Sequence, residues 1–323
     1  MNLNEIKAPL EGHMKHFESH FRESMRSNVP LLTTITRYIV KRKGKQIRPL
    51  FVFFSADLFS GITPRTYRGA TLIEMLHTAT LIHDDVVDDS NERRGFFSLN
   101  ALWKNKISVL VGDYLLSRGL LLSLENDDYD LLKIVSASVR EMSEGELLQM
   151  EKARSLNIDE GVYFEIIRKK TASLIASCLA CGAASAGQPP EVIEKMRQIG
   201  EYIGIAFQIK DDLLDLDFSL QTGKPAAADI KERKMTLPLI YTLNKAGYSE
   251  KRKMVNIVKN HGTDREKVSW VIEQVRKYGG VDYAKEAMKQ YRNKAIEALW
   301  LFPEKPARES LKCLIDFTIE RQS

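Results

Sequence analysis

Apolar residues recur at spacings of three and four along most of the chain, which is the period of an amphipathic helix. The stretch from Leu3 to Phe21 shows this pattern first, and a mostly apolar stretch from Ile47 to Ser60 follows it. Thr63 and Pro64 are typical of a helix cap and a first helical turn, so a long helix is predicted from there towards Gly95. Further helices are predicted at about 106–125, 129–151, 157–186, 190–218, 229–246, 249–260, 264–277, 280–301 and 305–320.

The chain contains little material for turns and none of the signs of a β-sheet. Glycine (18) and proline (10) are scarce for 323 residues, and no alternating strand pattern bounded by hairpin residues stands out. Nothing resembles a linker or a low-complexity segment. We therefore predict an all-α fold, a single domain over 1–323 built as one large bundle of about 12–14 helices. The helices beginning near 64 and 190 are unusually apolar and are expected at central positions.

Composition excludes some classes of protein. With 44% apolar and 28% charged residues, the chain is not intrinsically disordered. The net charge of +5 is spread along the chain, and no basic stripe with interleaved aromatic residues suggests a nucleic-acid-binding protein. Cys178, Cys181 and Cys313 cannot form a paired disulfide framework. Cys178 and Cys181 lie in an apolar run, where buried packing residues are expected rather than a redox or zinc site.

The sequence also bears on where the protein is located in the cell. The N-terminal sequence lacks the uninterrupted apolar region of a signal peptide, and no stretch reaches about 18 apolar residues without a charge. We therefore expect a protein of the reducing cytoplasm without a membrane span.

Four aspartates fall within six residues at 84–89, late in a long predicted helix. On a helix, Asp84 and Asp88 stand one turn apart on the same face, with about 5–6 Å between their Cβ atoms. Carboxylates this close repel one another, and they are unfavourable near the negative end of a helix dipole. Bound divalent cations are the simplest reason for such an arrangement. The first cluster of candidate ligands comprises Asp84, Asp85 and Asp88.

A second aspartate cluster repeats the same spacing after another apolar helix, at Asp211, Asp212 and Asp215. A single acidic pair on a helix is usually a solvated face, whereas two copies in apolar surroundings indicate a metal site. If the two helices face one another, their carboxylates form an oxygen cage. Oxygen ligands without nearby Cys or paired His favour Mg²⁺ over zinc. Mg²⁺ usually completes its coordination with water and substrate phosphates.

Cationic residues near the two clusters point to a phosphate-bearing substrate. Each of them alone is typical of a surface charge, but together they suit a pocket for two polyanionic substrates. They are Lys45, Arg48, Arg93, Arg94, Lys170, Lys224 and Lys234.

At these residues the chain resembles the trans-isoprenyl diphosphate synthases, also called the polyprenyl synthetase family. The segments that carry the resemblance cover nearly the whole chain in the family's order: GKQIRP, LIHDDVVDDSNERRG, SVLVGDYLLSR, EGELLQM, RKKTASL, GIAFQIKDDLLD, TGKP and ADIKERKMTLPLIY. The resemblance implies an isoprenoid-synthase bundle around a central cavity and a homodimer. It also implies a reaction that adds isopentenyl diphosphate head to tail (1′–4) to an allylic diphosphate, giving an all-trans product.

The resemblance assigns roles position by position. About three Mg²⁺ ions are expected at Asp84, Asp88, Asp211 and Asp215, with Asp85 and Asp212 in support. The allylic diphosphate is expected at Arg93, Lys170, Lys224 and Lys234. Isopentenyl diphosphate is expected at Gly44, Lys45, Arg48, His77 and Arg94. Thr171 and Gln208 are expected near the developing carbocation.

Some positions depart from the family pattern or stay open. The family often has GGK where this chain has Lys43-Gly44-Lys45, and GKP where it has Gly95-Phe96-Phe97. A family lysine that contacts isopentenyl diphosphate is therefore not clearly present, which concerns affinity more than chemistry. His77 has two interpretations, since an isolated helical histidine is usually structural.

The implied mechanism is stepwise ionisation, condensation and elimination. Mg²⁺ and the cationic side chains neutralise the departing diphosphate, and an apolar cavity excludes water from the carbocation. No side chain is needed as a nucleophile.

Product length is expected to depend on the helix that precedes Asp84. A bulky aromatic residue four or five positions before that aspartate blocks the growing tail in this family, and here Ala79 and Thr80 are small. Leu76 and Ile73 lie about 12–16 Å from Asp84, towards the start of the helix. We therefore expect a product longer than farnesyl diphosphate, of C30–C40, and expect Ala79→Phe to shorten it. In the alternative, Ala79 and Thr80 simply pack against a neighbouring helix.

Other functions stay open at this point. One is a short-chain synthase making geranyl, farnesyl or geranylgeranyl diphosphate, and another is a non-catalytic subunit of a heteromeric synthase. A terpene cyclase or a head-to-head condensing enzyme is disfavoured by the second aspartate cluster, TGKP and Lys170-Thr171. A greasy substrate also leaves open a peripheral membrane contact for product release.

Overall fold

The fold is all-α, as predicted, in a computed structural model that describes residues 2–41, 44–88, 92–93, 96–155, 159–216 and 228–320. Sixteen α-helices occur in these residues. They are Leu3–Lys7 (α1), Glu11–Ser24 (α2), Pro30–Lys41 (α3), Ile47–Asp57 (α4), Pro64–Val87 (α5), Leu99–Leu124 (α6), Tyr129–Ser155 (α7), Glu160–Ile167 (α8), Ser173–Ser185 (α9), Pro190–Asp215 (α10), Ala228–Lys231 (α11), Leu237–Lys245 (α12), Tyr248–Asn260 (α13), Arg265–Lys277 (α14), Gly280–Leu299 (α15) and Pro306–Glu320 (α16).

The helix count exceeds the predicted 12–14 because two continuous segments change their helical type. A 3₁₀ turn, Ala8–Leu10, joins α1 to α2, and a π turn, Arg168–Ala172, joins α8 to α9. Counted as continuous helices, these segments reduce the number in the described residues to fourteen.

The region between α5 and α6 differs most from the prediction. Helix α6 begins at Leu99, where the Ser98 hydroxyl accepts a hydrogen bond from the Ala101 amide at 3.1 Å and caps the first turn. The backbone is non-helical at Lys104 (φ 65°), and the uninterrupted helix that follows begins close to the predicted start near 106. Before it, Glu92–Arg93 (β1) pairs antiparallel with Phe96–Phe97 (β2) in a two-residue ladder. Ladders this short carry no alternating pattern, so sequence periodicity does not reveal them.

The chain divides into two compact units. Unit 1 comprises Met1–Val139, Ser177–Arg197 and Phe302–Leu314, and unit 2 comprises Arg140–Ala176, Gln198–Leu301 and Ile315–Ser323. The expectation of a single domain over 1–323, with a central cavity, stays a prediction.

Unit 1 has its core around α4 and α5. Eight consecutive residues of α4, from Pro49 to Ala56, are buried. Helix α5 packs against α2, α4 and α6, as expected for a helix that is apolar on several faces. Its buried residues Met75, Ala79 and Ile82 lie in one hydrophobic cluster with side chains of α3 and α6.

Unit 2 has a second core, centred on α12. This helix packs against α8, α14 and α15, and most of its residues are buried. Ile205 and Ile209 of α10 belong to the same cluster as Leu237 and Ile240 of α12.

Helix α6 is long and apolar enough to cross a membrane by length and composition alone, a test that core helices of soluble proteins also pass. It is the one such helix in the part of the chain that the structure describes, and 33% of its most apolar segment is buried. One such helix does not show a membrane span, and the expectation of none stays a prediction. Several large apolar side chains of α6 are exposed: Leu102, Val109, Leu110, Leu120, Leu121 and Leu124.

The cysteines have the environments expected from their apolar neighbours. Cys178 and Cys181 are fully buried, while Cys313 is partly exposed. Burial raises the pKa of Cys178 to about 12 and raises the pKa of Cys181 well above its ordinary value. Both thiols are therefore packing residues, as predicted.

Candidate active site

The first aspartate cluster occupies the end of α5 in unit 1. Asp84 and Asp88 are exposed, whereas Asp85 is only 5% exposed. The Asp88 amide donates to the Asp84 carbonyl at 2.8 Å and ends the helix. Asn100, in the first turn of α6, donates from Nδ2 to the Asp85 carbonyl at 3.4 Å. The end of α5 thus presents two carboxylates to solvent and is held from behind by α6.

His83 provides a second contact between these helices that the sequence motifs did not reveal. Its Nε2 lies 3.4 Å from Asp113 Oδ1 and 3.3 Å from the Val109 carbonyl oxygen. Gly112 makes room for the ring, since a Cβ at this position would overlap Nε2 and Cδ2 of His83. In the sequence, this contact could have been suspected only from the adjacent Gly112 and Asp113 in the segment SVLVGDYLLSR.

The second aspartate cluster, at the end of α10 in unit 2, is divided in a similar way. Asp211 and Asp215 are partly exposed, and Asp212 is 5% exposed. Tyr163 Oη donates to Asp212 Oδ2 at 2.7 Å, and Gln208 Nε2 donates to Asp212 Oδ1 at 2.9 Å. Burial and the nearby charge of Asp229 raise the pKa of Asp212 to about 7.

Asp215 organises the segment that follows the second cluster. Its two carboxylate oxygens accept hydrogen bonds from the Ala228 amide at 3.1 Å and the Asp229 amide at 3.0 Å. Backbone amides at the start of a helix lack intrahelical partners, so this carboxylate satisfies two of them in α11. Asp215 thereby fixes the position of Asp229 close to the second cluster.

The π turn between α8 and α9 carries Lys170 and Thr171. Thr171 Oγ1 donates to Gln208 Oε1 at 2.7 Å, which places the two residues expected near the carbocation side by side. Lys170 forms an ion pair with Glu146 and lies 3.5 Å from Gln149 Oε1. Both partners belong to the EGELLQM segment of α7. Single π turns inside helices frequently occur at functional sites.

Helix α10 approaches this region closely because it has a glycine where the backbones meet. A Cβ at Gly200 would lie 2.6 Å from the Ala176 Cα and 2.7 Å from the Ile175 carbonyl oxygen. Side chains that are small at a helix crossing allow such a distance. The crossing sets how far Gln208, two turns further along α10, lies from Thr171.

Lys234 lies among carboxylates of its own segment. Its Nζ is 3.4 Å from Asp229 Oδ1 and 2.5 Å from Glu232 Oε2. Burial lowers the pKa of Lys234, but the negative charges of Asp229 and Glu232 outweigh it and raise the pKa overall. Lys234 is therefore a cation at any physiological pH.

The residues expected to bind isopentenyl diphosphate lie at the start of α4 and in the middle of α5. Gln46 has a left-handed backbone (φ 52°), which turns the chain between Lys45 and α4. Arg48 Nη1 is 3.4 Å from Glu74 Oε1, and His77, partly buried, follows Glu74 by three residues on α5. Arg48 and His77 therefore belong to neighbouring helices of unit 1. Lys45 is exposed and Gly44 partly buried.

Three expected ligands are not placed by the structure. Arg94 and Lys224 lie outside the described residues, and Arg93 is described only through its backbone in β1.

The residues expected to control product length differ in burial along α5. Ile73, Leu76 and Ala79 are buried, and Ala79 packs within the cluster shared with α3 and α6. Thr80 is partly exposed, and its hydroxyl donates to the His77 carbonyl at 2.9 Å. Packing against neighbouring helices, the alternative interpretation, therefore applies to Ala79 more than to Thr80.

The donor chemistry of the two clusters suits a hard divalent cation. All six candidate ligands are carboxylates, and Mg²⁺ prefers such oxygens. Among the described residues, no three or more His, Cys, Asp or Glu side chains are grouped closely enough to hold a metal by themselves. Sites for Mg²⁺ commonly use one or two carboxylates and take other ligands from water and substrate phosphates, so the residues fit this ion.

Comparisons with known proteins identify the family. The family model described as "Polyprenyl synthetase" matches residues 29–275. Octaprenyl diphosphate synthase of Escherichia coli (strain K12) is 34% identical over 322 residues, covering 99% of both chains. Geranylgeranyl diphosphate synthase of Saccharolobus solfataricus is 32% identical over 330 residues, covering 99% of this chain and 97% of the relative.

Solved structures agree in fold as well as in sequence. The crystal structure of a polyprenyl synthase from Caulobacter crescentus CB15, complexed with calcium and isoprenyl diphosphate, has a TM-score of 0.91 and 32% identity. The similarity covers 100% of this chain and 98% of that one. The chain therefore belongs to the polyprenyl synthetase family of prenyltransferases.

Proposed function

We propose that this enzyme uses Mg²⁺ to condense isopentenyl diphosphate head to tail with an allylic diphosphate, and that it makes an all-trans-polyprenyl diphosphate of C30–C40. The observation that carries the proposal is the exposed pair Asp84 and Asp88 on one face at the end of α5. An exposed carboxylate pair, one turn apart and backed by a packed helix, suits a divalent cation that carries a diphosphate.

Carboxylates of each cluster bind Mg²⁺ in this proposal. Family membership implies dependence on a divalent metal. Asp84 and Asp88 hold it in unit 1, and Asp211 with Asp215 in unit 2, with about three Mg²⁺ ions in all. Asp85 and Asp212 support these ligands from buried positions. When bound, Mg²⁺ supplies positive charge that stabilises the departing diphosphate.

The chain's own cations bind the diphosphates. Lys170 and Lys234, with Arg93 and Lys224, grip the allylic diphosphate, and each is paired with carboxylates where the structure describes its side chain. Lys45, Arg48, His77 and Arg94, beside the turn at Gly44, bind isopentenyl diphosphate. A diphosphate carries more negative charge than a single carboxylate, so it replaces these pairings on binding.

Thr171 and Gln208 act on the carbon that loses the diphosphate. Their hydrogen bond, 2.7 Å long, presents oxygen atoms of fixed orientation to the developing allylic cation. Fixed dipoles stabilise a developing charge without reorganising during the reaction. The double bond of isopentenyl diphosphate then attacks the cation, and the released diphosphate accepts the proton that is lost.

The proposed product length rests on the small side chains ahead of Asp84. Thr80 is partly exposed, whereas Leu76 and Ile73, one and two turns earlier on the helix, are buried. A tail that passes Thr80 would first meet an obstacle at Leu76. The relatives include both an octaprenyl and a geranylgeranyl diphosphate synthase, so a shorter product is the alternative.

We also propose that the enzyme acts in the cytoplasm as a homodimer. Val109, Leu110, Leu120, Leu121 and Leu124 are exposed on α6, and at 3.6 residues per turn they fall within about 120° of its circumference. An apolar helix face of this extent favours burial against a protein surface. A second copy of the chain fits the family expectation, and membrane contact during product release stays compatible with it.

Product chromatography tests the activity and the product length together. The purified chain is incubated with Mg²⁺, isopentenyl diphosphate and geranyl, farnesyl or geranylgeranyl diphosphate, with and without chelator. We expect a ladder that ends at one all-trans product of C30–C40 and disappears with chelator. A ladder ending at C20 or below would show a short-chain synthase. No elongation with any primer would support a non-catalytic subunit.

A further inference from the structure

We propose that the buried hydroxyl of Tyr163 is a positioning group for the prenyl transfer, and that it orients Thr171 through Asp212 and Gln208. The inference rests on the proposed function, since it assigns a role to Thr171 at the reacting carbon. Tyr163 lies on α8 and is absent from the metal and cation motifs, so nothing in those motifs assigns it a role.

Three hydrogen bonds connect Tyr163 to Thr171. Tyr163 Oη donates to Asp212 Oδ2 at 2.7 Å, and Gln208 Nε2 donates to Asp212 Oδ1 at 2.9 Å. Thr171 Oγ1 donates to Gln208 Oε1 at 2.7 Å. All four residues belong to unit 2, and all three distances are those of well-formed hydrogen bonds.

The directions of these bonds determine which atoms of Thr171 face the substrate. Asp212 accepts from Tyr163 with one oxygen and from the amide group of Gln208 with the other. Because the Gln208 nitrogen is held by Asp212, its oxygen must face Thr171. The single hydroxyl proton of Thr171 is then used in that bond, and its remaining lone pair is available to a developing positive charge.

Burial makes the Tyr163 hydroxyl difficult to replace by water. Tyr163 is 4% exposed and Asp212 is 5% exposed. The Tyr163 ring packs edge to face on Phe164 and lies in the hydrophobic cluster around α12. A buried carboxylate oxygen that loses its donor must find another, and the side-chain amide of Gln208, which already donates to Asp212, has a second N–H to offer. In that case Gln208 would reorient and release Thr171.

Tyr163→Phe removes the hydroxyl and keeps the ring. Without this hydrogen bond the Thr171 hydroxyl is no longer held in one orientation, and a tenfold fall in rate corresponds to about 1.4 kcal/mol of activation free energy. We therefore expect kcat to fall about tenfold, while KM for both diphosphates and the Mg²⁺ dependence change less than about twofold. Such a split between kcat and KM is expected for a group that acts at the reacting carbon.

Tyr283→Phe is the matched control. Tyr283 also donates from its hydroxyl to a carboxylate of α8, namely Glu160 Oε1 at 2.6 Å, but it has no link to Thr171. We expect its kcat to equal that of the wild type. An equal fall in kcat for both variants would show a general effect of loosening α8 and would overturn the inference.

A double variant tests whether Tyr163 acts through Thr171. Thr171→Val removes the hydroxyl with little change in volume. If the relay operates, adding Tyr163→Phe to Thr171→Val lowers kcat less than twofold further. A further tenfold fall would show independent effects and overturn the proposal. An unchanged kcat in Tyr163→Phe alone would also overturn it.

Folding and the proposed function are checked separately. Thermal unfolding shows whether Tyr163→Phe is folded. If it is not, Gln208→Met interrupts the same relay in its place. The double variant Gln208→Met with Thr171→Val should then be no less active than Thr171→Val alone. Additive losses in that pair would count against the relay. A wild type that elongates no primer refutes the proposed function, and the inference with it, whereas an active wild type with a fully active Tyr163→Phe refutes the inference alone.

Discussion

The aspartates of the two clusters differ in burial. Asp84 and Asp88 are exposed at the end of α5, whereas Asp85, between them in sequence, is buried. In the second cluster Asp212 is buried and accepts two side-chain hydrogen bonds. Among the six carboxylates, the two buried ones are therefore expected to support the site, and the exposed and partly exposed ones are expected to bind the metal.

Substitutions in the first cluster should separate these roles. We expect Asp84→Asn to lower kcat roughly 100-fold or more and to raise the Mg²⁺ concentration for half-maximal rate, because it removes a ligand that stabilises the leaving group. Asp85→Asn should lower the melting temperature more than Asp84→Asn does and should lower the rate less. Magnesium titrations of the steady-state rate, with melting curves, measure both. Equal Mg²⁺ dependence in the two variants would contradict the assignment of Asp84 as a metal ligand and Asp85 as its buried support.

Thr80 is the position where product length is tested most directly. We expect Thr80→Phe to shorten the product by several isoprene units, because a phenyl group one turn before Asp84 obstructs the growing tail. Ala79→Phe, expected from the sequence to do the same, places a large ring inside a packed cluster and should cost about 1–3 kcal/mol of stability. Chromatography of the products with a melting curve of each variant distinguishes the two. Full-length product from Thr80→Phe would contradict the proposed path of the tail.

The three thiols should react at very different rates. Burial raises the pKa of Cys178 to about 12 and that of Cys181 well above its ordinary value, so neither forms appreciable thiolate at pH 8. Cys313 is partly exposed. A colorimetric thiol reagent at pH 8 should therefore modify one cysteine in the native protein and all three in denaturant. Mass spectrometry identifies the site, and rapid native labelling of Cys178 would be inconsistent with its packing.

At the scale of elements, helix crossings determine the geometry of the site. Helix α10 carries Gln208 and the second aspartate cluster, and it meets the chain around the π turn where Gly200 lies against Ala176. Helix α6 contacts the end of α5 in a similar way, with Gly112 against His83. Gly200 lies about two turns before Gln208 on α10, whereas Gly112 lies against His83, the residue directly before Asp84.

Gly200→Ala should therefore be destabilising, although alanine favours helices. Its Cβ would lie 2.6 Å from the Ala176 Cα, and the backbones would have to separate, at a cost of about 1–3 kcal/mol. Gly12→Ala is the control, since it also lies in a helix but has open space around the added Cβ. It should raise stability by about 0.5–1 kcal/mol. Chemical denaturation measures the free energy of unfolding of both variants. A change of the same sign in both would contradict the packing argument.

At the scale of the whole molecule, the exposed apolar face of α6 is expected to join two copies of the chain. Leu110 is 59% exposed near the middle of that face. Leu110→Glu should shift the protein from dimer to monomer in sedimentation, because a buried unpaired charge is costly. Leu301→Glu is the control, since Leu301 is 78% exposed and lies outside α6. A wild-type monomer, or a dimer unaffected by Leu110→Glu, would refute this interface.

The sequence by itself determined the helices, their order and the identity of the chemical groups. These depend on local properties: a period of 3.6 residues, a cap such as Thr63, and carboxylates repeated at fixed spacing. Most helix ends were predicted within a few residues, although the helix predicted at 229–246 is two helices, α11 and α12. The first turn of α6, before the kink at Lys104, was missed because a single cap decides it, and the ladder at 92–97 was missed because it is too short to show a period.

Only the tertiary structure decided which of these groups is buried and which is exposed. Asp211 and Asp212 are adjacent residues of the same type, and the sequence does not distinguish them. In the structure, Asp212 is buried against Tyr163, which lies 49 residues away along the chain. The π turn that carries Lys170 and Thr171, and the space for His83 beside Gly112, likewise depend on segments distant in sequence. Periodicity and spacing describe one segment at a time, whereas burial and hydrogen-bond partners follow from the packing of one segment on another.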